Sequence, residues 1–229
     1  MKLDDICKLI SVHTYGQPIV IKPTDGVSVI IYNSFYECVG NNYTFSLKEL
    51  KCVSSEYCFD NNVISFGQKL KEKIQNSQEP IYIYLNRNIN YQLELFSSVG
   101  KISVHGVRLD NCYVRSISGD VSFSSVWAKR LKVTKKKGDL RLSYMSGDLI
   151  NVNNQDGYTQ VRHSLNERIY VKTMFGDIDT HLLPKSCDYR ILVRTNGNHG
   201  VDPYWICDDR SKILCLDSGY GNVNVLRGK

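Results

Sequence analysis

The sequence has no hydrophobic run of the length that a membrane-spanning helix needs. Apolar stretches such as VSVIIY and IYIYL are far shorter than the ~18 residues of such a helix. The opening MKLDDICKLI carries two aspartates where a signal peptide would carry a basic stretch and then an apolar core. We therefore expect a cytoplasmic protein that is not inserted in a membrane.

The sequence also lacks the motifs that mark common catalytic and metal sites. It contains no GxSxG nucleophile motif and no glycine-rich phosphate loop. The pairs Cys52/Cys58 and Cys207/Cys215 do not have zinc-ribbon spacing, and the five histidines are scattered. We therefore expect no enzyme activity, no metal ion and no cofactor.

The eight cysteines do not form a disulfide framework. They are irregularly spaced, and a chain of 229 residues is too large to need such crosslinks for a stable core. We expect reduced and mostly buried thiols.

The composition favours a folded protein made of strands. Hydrophobic residues make up 42% of the chain and charged residues 23%, which excludes a fully disordered protein. The 15 tyrosines and 16 glycines are more typical of strands and tight turns than of helices. The fold class that we expect is mainly β.

An internal repeat of 19 residues supports this interpretation. It is marked by glycines at 100, 119, 138, 157 and 176. Positions thirteen and fifteen of the repeat are apolar, with Cys112, Leu131, Ile150 and Ile169 in the first column and Val114, Val133, Val152 and Val171 in the second. Stepping back from Gly100 extends the columns to Ile81 without the glycine.

Within each repeat the apolar positions alternate, which is the period of a strand with one buried face. Each unit therefore contains about two short strands and their turns. A unit of this size cannot bury its inner face alone, so successive units must stack at the strand spacing of ~4.8 Å. The pattern predicts a parallel β-solenoid in which equivalent side chains lie above one another.

The start of each repeat carries two further residue types with a structural meaning. We expect each glycine to be a turn residue with positive φ. Aspartate follows it at Asp120, Asp139 and Asp177. These carboxylates either accept N–H bonds within their own turns or bind a divalent cation, and one aspartate per unit favours the turns.

The repeats resemble a known family. SISGDVSF (116–123), SYMSGDLINVN (143–153), VKTMFGDIDTHL (171–182) and SGYGNVNV (218–225) are similar to the SGD repeats of the bacterial putative-adhesin family, also called toastrack domains. The resemblance extends over residues 81–229 at most and implies a right-handed single-chain β-solenoid. It implies no catalytic residues and no agreed ligand. Members of the family are commonly exported or membrane-tethered.

We expect two domains, a small N-terminal α+β cap over residues 1–80 and a β-solenoid over residues 81–229. Two amphipathic helices are predicted in the cap. Their apolar faces comprise Leu3, Ile6, Cys7 and Ile10 in the first, and Phe66, Leu70 and Ile74 in the second, for which Ser65 is the predicted N-cap. Residues 197–221 form a longer unit that we expect to include an exposed loop with Pro203, Tyr204 and Trp205.

A basic cluster is the best candidate binding site. It comprises Lys129, Arg130, Lys132, Lys135, Lys136, Lys137 and Arg141. We expect Lys132 to point outward and the three consecutive lysines to occupy a turn, so that the cluster forms one corner able to hold phosphate or another polyanion. The alternative is a solvated turn whose lysines prevent edge aggregation. No aromatic residues alternate with these lysines in the sequence.

Three functions remain open on these grounds. The first is a non-catalytic scaffold or interaction module whose partner is another protein, bound by the solenoid faces or by residues 197–221. The second is a module that binds a polyanion, nucleic acid or nucleotide through the basic cluster. The third is a carbohydrate-active β-helix that uses acids such as Asp208 and Asp209 together with the aspartate ladder. The sequence indicates no oligomeric state.

Overall fold

The computed structural model describes residues 9–14, 16–25, 29–33, 36–41, 44–49, 55–60, 63–68, 80–183, 189–201 and 212–227. All regular structure within these ranges is β-strand. The strands are β1 (Leu9–Thr14), β2 (Ile19–Thr24), β3 (Val29–Asn33), β4 (Tyr36–Asn41), β5 (Thr44–Glu49), β6 (Ser55–Asp60), β7 (Val63–Gln68), β8 (Ile81–Asn86), β9 (Asn90–Ser97), β10 (Ile102–His105), β11 (Arg108–Ser116), β12 (Val121–Ser124), β13 (Trp127–Lys137), β14 (Leu140–Ser143), β15 (Ser146–Asp156), β16 (Thr159–Arg162), β17 (Arg168–Phe175), β18 (Ile178–Leu182), β19 (Tyr189–Thr195), β20 (His199–Val201), β21 (Lys212–Ser218) and β22 (Val223–Arg227).

The strands form two sheets. Sheet A has the order β19-β21-β17-β15-β13-β11-β9-β1-β7-β6, and sheet B has the order β20-β22-β18-β16-β14-β12-β10-β2-β8-β3-β4-β5. From β9 to β18 the chain alternates between the sheets, and each strand from β9 to β16 pairs in parallel with the strand two places further on. The inward side chains of both sheets belong to one hydrophobic core. The fold is therefore a parallel β-solenoid, as predicted.

The 19-residue repeat sets the register of the stack. Val114 pairs with Val133, Val133 with Val152, and Val152 with Val171, and each is at most 3% exposed. Cys112 pairs with Leu131 in the neighbouring apolar column and is fully buried. The predicted continuous apolar columns are confirmed.

Both ends of the described chain are inserted into the stack instead of lying at its ends. At the start, β1 lies between β7 and β9 in sheet A, and β2 lies between β8 and β10 in sheet B. Strands β1 and β2, which the sequence assigns to the cap, therefore supply a level of the solenoid. Ile81 pairs with Ile19 and not with Ile102, so the repeat traced back to Ile81 misses one intervening strand.

At the other end, β21 and β22 are inserted in the same way. The chain leaves β18, forms β19 and β20 two levels further out, and returns to place β21 between β17 and β19. The level that follows Gly176 therefore contains Gly221, and Gly197 follows Gly221. Pro203, Tyr204 and Trp205 of the predicted loop lie outside the described residues.

The N-terminal strands that do not belong to the parallel stack are antiparallel. Strands β3, β4 and β5 extend sheet B beyond β8, and β6 pairs with β7 at the end of sheet A. The predicted helix start at Ser65 is wrong, because Ser65 and Phe66 lie in β7. Ile10 lies in β1, while the other residues of the two predicted helices lie outside the described ranges.

Two physical reasons account for glycine at the start of the repeats. Gly119, Gly138 and Gly157 have positive φ, at 111°, 100° and 133°, as predicted. Gly100 and Gly176 do not have φ in the left-handed range, and close backbone approach explains them instead. A Cβ on Gly176 would lie 2.1 Å from the Gly157 carbonyl oxygen, so stacking excludes any side chain there.

The aspartates that follow these glycines connect neighbouring levels. The Asp120 carboxylate accepts a hydrogen bond from the Asp139 backbone N–H at 3.0 Å, and Asp139 accepts one from the Tyr158 N–H at 3.2 Å. Asp177 accepts a bond from the Asn222 N–H at 2.7 Å. The expectation of bonds within each turn is wrong, because each carboxylate bonds the next level of the stack.

Candidate functional site

The outer face of sheet A is strongly basic. Exposed cationic side chains that strand alternation directs away from the core include Arg108, Arg115, Arg130, Lys132, Lys136, Arg168, Lys172, Arg190 and Arg194. Only two acidic side chains of the described strands β9 to β21 share these outward columns. They are Glu94 and Asp217.

Strand β13 contributes three cations of the predicted cluster to this face. Arg130, Lys132 and Lys136 are exposed and alternate with the buried Leu131 and Val133. The strand continues to Lys137, so the predicted turn at 135–137 is wrong. These cations lie along one strand instead of around one corner.

Lys135 does not belong to this surface, because its side chain is 1% exposed and points inward. It occupies a column of polar side chains that face the core at the end of each sheet A strand. The column consists of Thr14, Ser97, Ser116, Lys135, Asn154, Thr173, Ser218 and Thr195. The prediction that Lys135 takes part in an exposed anion site is wrong.

Side chains of this polar column donate hydrogen bonds to the carbonyl groups of the glycine turns. Ser97 Oγ donates a hydrogen bond to the Gly100 carbonyl at 2.9 Å, and Thr173 Oγ1 donates one to the Gly176 carbonyl at 2.9 Å. Lys135 Nζ donates to the Gly119 carbonyl, which belongs to the preceding glycine turn. Burial lowers the pKa of Lys135 to about 8, although Asp120 and Asp139 act in the opposite direction.

The remaining members of the predicted cluster have acidic neighbours. Lys129 is exposed beside Arg130 on β13, and Asp110 and Asp148 hold the equivalent places in the neighbouring levels. Lys137 pairs in register with Asp156. Arg141 lies on sheet B, and its guanidinium is 3.5 Å from the Asp139 carboxylate. An acidic side chain therefore accompanies each of these three residues.

Two depressions follow one another along the outer face of sheet A. The larger has a volume of about 600 Å³ and is lined by residues that include Lys136, Lys172 and Arg194. The smaller has a volume of about 430 Å³ and extends from His13 to Lys132. Thr134 lines both. Together they span the eight strands from β1 to β19, about 34 Å at the usual strand spacing, and we call them the basic track.

Exposed aromatic rings lie at both ends of the basic track. Tyr220 lines the larger depression, is 68% exposed, and stacks on Phe175 with ring centroids 5.3 Å apart. Tyr113 and Phe96 line the smaller one, and Tyr113 is 48% exposed. The aromatic residues that are absent from the lysine-rich sequence are therefore supplied by other levels of the stack.

One acidic residue reduces the positive charge of the larger depression. Asp217 pairs in register with Lys172 on one side and Arg194 on the other. Its carboxylate is 3.8 Å from Lys172 Nζ. Because Lys136 and Arg194 also line the depression, it retains an excess of positive charge.

The outer face of sheet B is different, because its polar side chains bond to one another. The Asp179 carboxylate accepts hydrogen bonds from the Tyr158 hydroxyl and from Asn224 Nδ2, the latter at 2.9 Å. Gln160 Nε2 donates to the Tyr158 oxygen at 2.8 Å. Burial, together with the bond to Asp179, raises the pKa of Tyr158. This network leaves fewer free groups for a ligand than the basic track has.

Other candidate chemistry receives less support. Within the described ranges, no group of three or more His, Cys, Asp or Glu side chains is arranged to hold a metal ion. Asp208 and Asp209 of the predicted carbohydrate-active site lie outside those ranges. The part of the chain that the structure describes also contains no helix able to span a membrane.

Sequence reasoning missed most cations of the basic face, although a signal was present. Arg115 and Lys172 occupy the sixteenth position of the 19-residue repeat, and Arg130 and Arg168 occupy the twelfth. Reading the outward columns in the same way as the inward ones would have grouped them. Arg194 could not be found in this way, because its level lies beyond the inserted β21.

These observations define the chain as a parallel β-solenoid with one basic face. Residues 62–196, more than half of the chain, match the family described as Toastrack DUF4097. The chain belongs to this family, as the SGD repeats indicated.

Comparison with individual proteins adds one solved structure. No curated protein matches the chain. A crystal structure of a putative cell adhesion protein from Clostridium sporogenes ATCC 15579 is similar, with 14% sequence identity and a TM-score of 0.39. The match covers 100% of this chain and 96% of that one.

Proposed function

We propose that the chain is a non-catalytic interaction module and that it binds an anionic partner through the outer face of sheet A. The observation that carries this proposal is the concentration of nine exposed cations on that face, with only two acids in the same columns. Like charges on stacked strands repel one another. An anionic ligand offsets this repulsion and releases counterions when it binds.

The arrangement of the cations also supports an extended partner. They lie on parallel strands of a rigid sheet, so their spacing is fixed before binding and little conformational entropy is lost in the backbone. The two depressions follow the solenoid axis from His13 to Arg194. A linear polyanion can follow this path and contact several levels at once.

Retention on immobilised heparin and polyphosphate tests the proposal. The test variant carries Arg130→Ser, Lys132→Ser and Lys136→Ser, which remove three cations from the face. The control carries Lys129→Ser, Lys137→Ser and Arg141→Ser, which remove the same charge at positions with acidic neighbours. We expect the test variant to elute at lower salt, with a salt dependence reduced by nearly one unit per lost contact.

The control variant should elute close to the wild-type protein. Equal losses in both variants would show that net charge governs retention, and the proposal for this face would be wrong. Retention of none of the three proteins at low salt would also reject it.

A further inference from the structure

We infer that the ligand of the basic track is a single-stranded nucleic acid, whose phosphates contact the cations and whose bases stack on Tyr220 and Tyr113. This inference rests on the proposed function and names the ligand class for the same face. Its starting point is the pair of exposed rings at the two ends of the track. A surface that binds charge alone has no use for them.

The larger depression brings the two required chemistries together. Lys136, Lys172 and Arg194 supply positive charge along its floor and walls, and Tyr220 supplies an exposed ring at the same site. Phe175 lies nearly parallel to Tyr220, with an angle of 8° between the rings, and so supports one side of it. The other side of Tyr220 can receive a planar base.

The smaller depression repeats the combination four levels away. Tyr113 lies in register between Glu94 and Lys132, and Arg115 lies in the next outward place on the same strand. Proteins that bind single strands without sequence preference combine a basic groove with aromatic platforms in this way. In the larger depression, the amide side chains of Asn153 and Gln155 can form hydrogen bonds with base edges or phosphates.

A single strand fits these features better than a duplex does. The bases of a duplex are already stacked and paired, so their faces are closed to Tyr220 and Tyr113. Base stacking on an aromatic ring changes the affinity by about five- to over a hundredfold per base when the ring is removed. An anionic polymer without bases would gain no base stacking from these tyrosines.

Fluorescence anisotropy with three labelled probes tests the inference. The probes are a 15-nucleotide single-stranded oligothymidylate, an abasic deoxyribose-phosphate oligomer of the same length, and a 15-base-pair duplex. We expect the wild-type protein to bind the oligothymidylate at least fivefold more tightly than the abasic oligomer. Tyr220→Ala and Tyr113→Ala should each lower this preference and leave the affinity for the abasic oligomer unchanged.

Two further variants separate stacking from loss of structure. Tyr220→Phe retains the ring and should retain the preference. Tyr144→Ala removes another exposed tyrosine, 60% accessible, that packs on His163 and lines neither depression. This variant should behave as the wild-type protein.

The outcomes distinguish the inference from the proposed function. If the oligothymidylate and the abasic oligomer bind equally, or if the tyrosine variants retain the preference, the ligand class is wrong while the anion-binding face stands. Tighter binding of the duplex or of heparin than of the oligothymidylate would also overturn the inference. Failure of all anionic probes to bind would reject the proposed function itself.

Discussion

Lys135 provides a direct test of how burial of a charged side chain affects the stability of the fold. Its side chain is 1% exposed, and its ammonium donates to the Gly119 carbonyl in a column otherwise made of neutral polar residues. Desolvation lowers its pKa to about 8 from the ordinary 10.5, against the opposing effect of Asp120 and Asp139. The folded protein therefore releases this proton at a lower pH than the unfolded chain does.

The sign of the pH dependence follows from these two pKa values. Between about pH 8 and pH 10.5 the unfolded state binds more protons than the folded state, so the free energy of unfolding rises with pH in this window. Below pH 8 both states hold the proton, and the cost of burying the charge is fully present. For the two pKa values given, the contribution rises by about 1 kcal/mol between pH 7 and pH 9.

The perturbation is Lys135→Met, which removes the ammonium and keeps an unbranched side chain. Urea unfolding of both proteins at pH 7, 8 and 9 gives the difference in the free energy of unfolding at each pH. Other titrating groups contribute equally to both proteins and cancel. We expect the wild-type protein to gain about 1 kcal/mol relative to the variant from pH 7 to pH 9.

The control is Lys136→Met, which removes the exposed neighbour on the same strand. Its difference from the wild-type protein should stay constant over this range. A constant difference for Lys135→Met as well would refute the reasoning, because the ammonium would then remain charged in the fold as it does in water.

Three further predictions concern the packing. Val133→Asp buries an unpaired carboxylate in the valine column and should lower the free energy of unfolding by more than about 2 kcal/mol in urea titrations; an unchanged midpoint would contradict the stacked column. Gly157 has positive φ, and Gly157→Ala places a Cβ 2.3 Å from a backbone oxygen, so this variant should have a lower thermal midpoint. The Cβ of the control variant Gly16→Ala lies 3.5 Å from its nearest atom, so this change should be tolerated. Equal midpoints for the two variants would contradict the close backbone approach at Gly157. Burial raises the pKa of the Cys112 thiol, so it should react with thiol reagents only when the protein unfolds. Titration of the unfolded protein without reductant should recover all eight thiols. Labelling of Cys112 in the folded protein would contradict its place in the core.

The sequence by itself determined the repeating part of the fold. Val114, Val133, Val152 and Val171 could be placed above one another because a rung of constant length repeats its backbone path, and alternation fixes which residues face inward. Both signals are local or periodic. Cys112 could be assigned to the core for the same reason.

Alternation also contained the position of Lys135, but the strand end hid it. Leu131 and Val133 face inward, so the next inward place is Lys135 if the strand continues. Three consecutive lysines are more typical of a solvated turn, and the sequence offered no signal that β13 extends to Lys137. Only the neighbouring levels, which place neutral polar residues in the same column, reveal why a hydrogen-bonding side chain is used there.

The candidate site was decided by tertiary structure. The cations of β13 become part of a face only when Lys172 and Arg194 from other levels lie beside them, and Tyr220 reaches the same depression from the end of β21. The order of the last levels cannot be read from the repeat. Either Gly197 or Gly221, having no side chain, could lie against the backbone of Gly176 in the next level. The pairing of β21 with β17 places Gly221 against Gly176. This pairing thereby determines which charged side chains and aromatic rings share the outer face of sheet A.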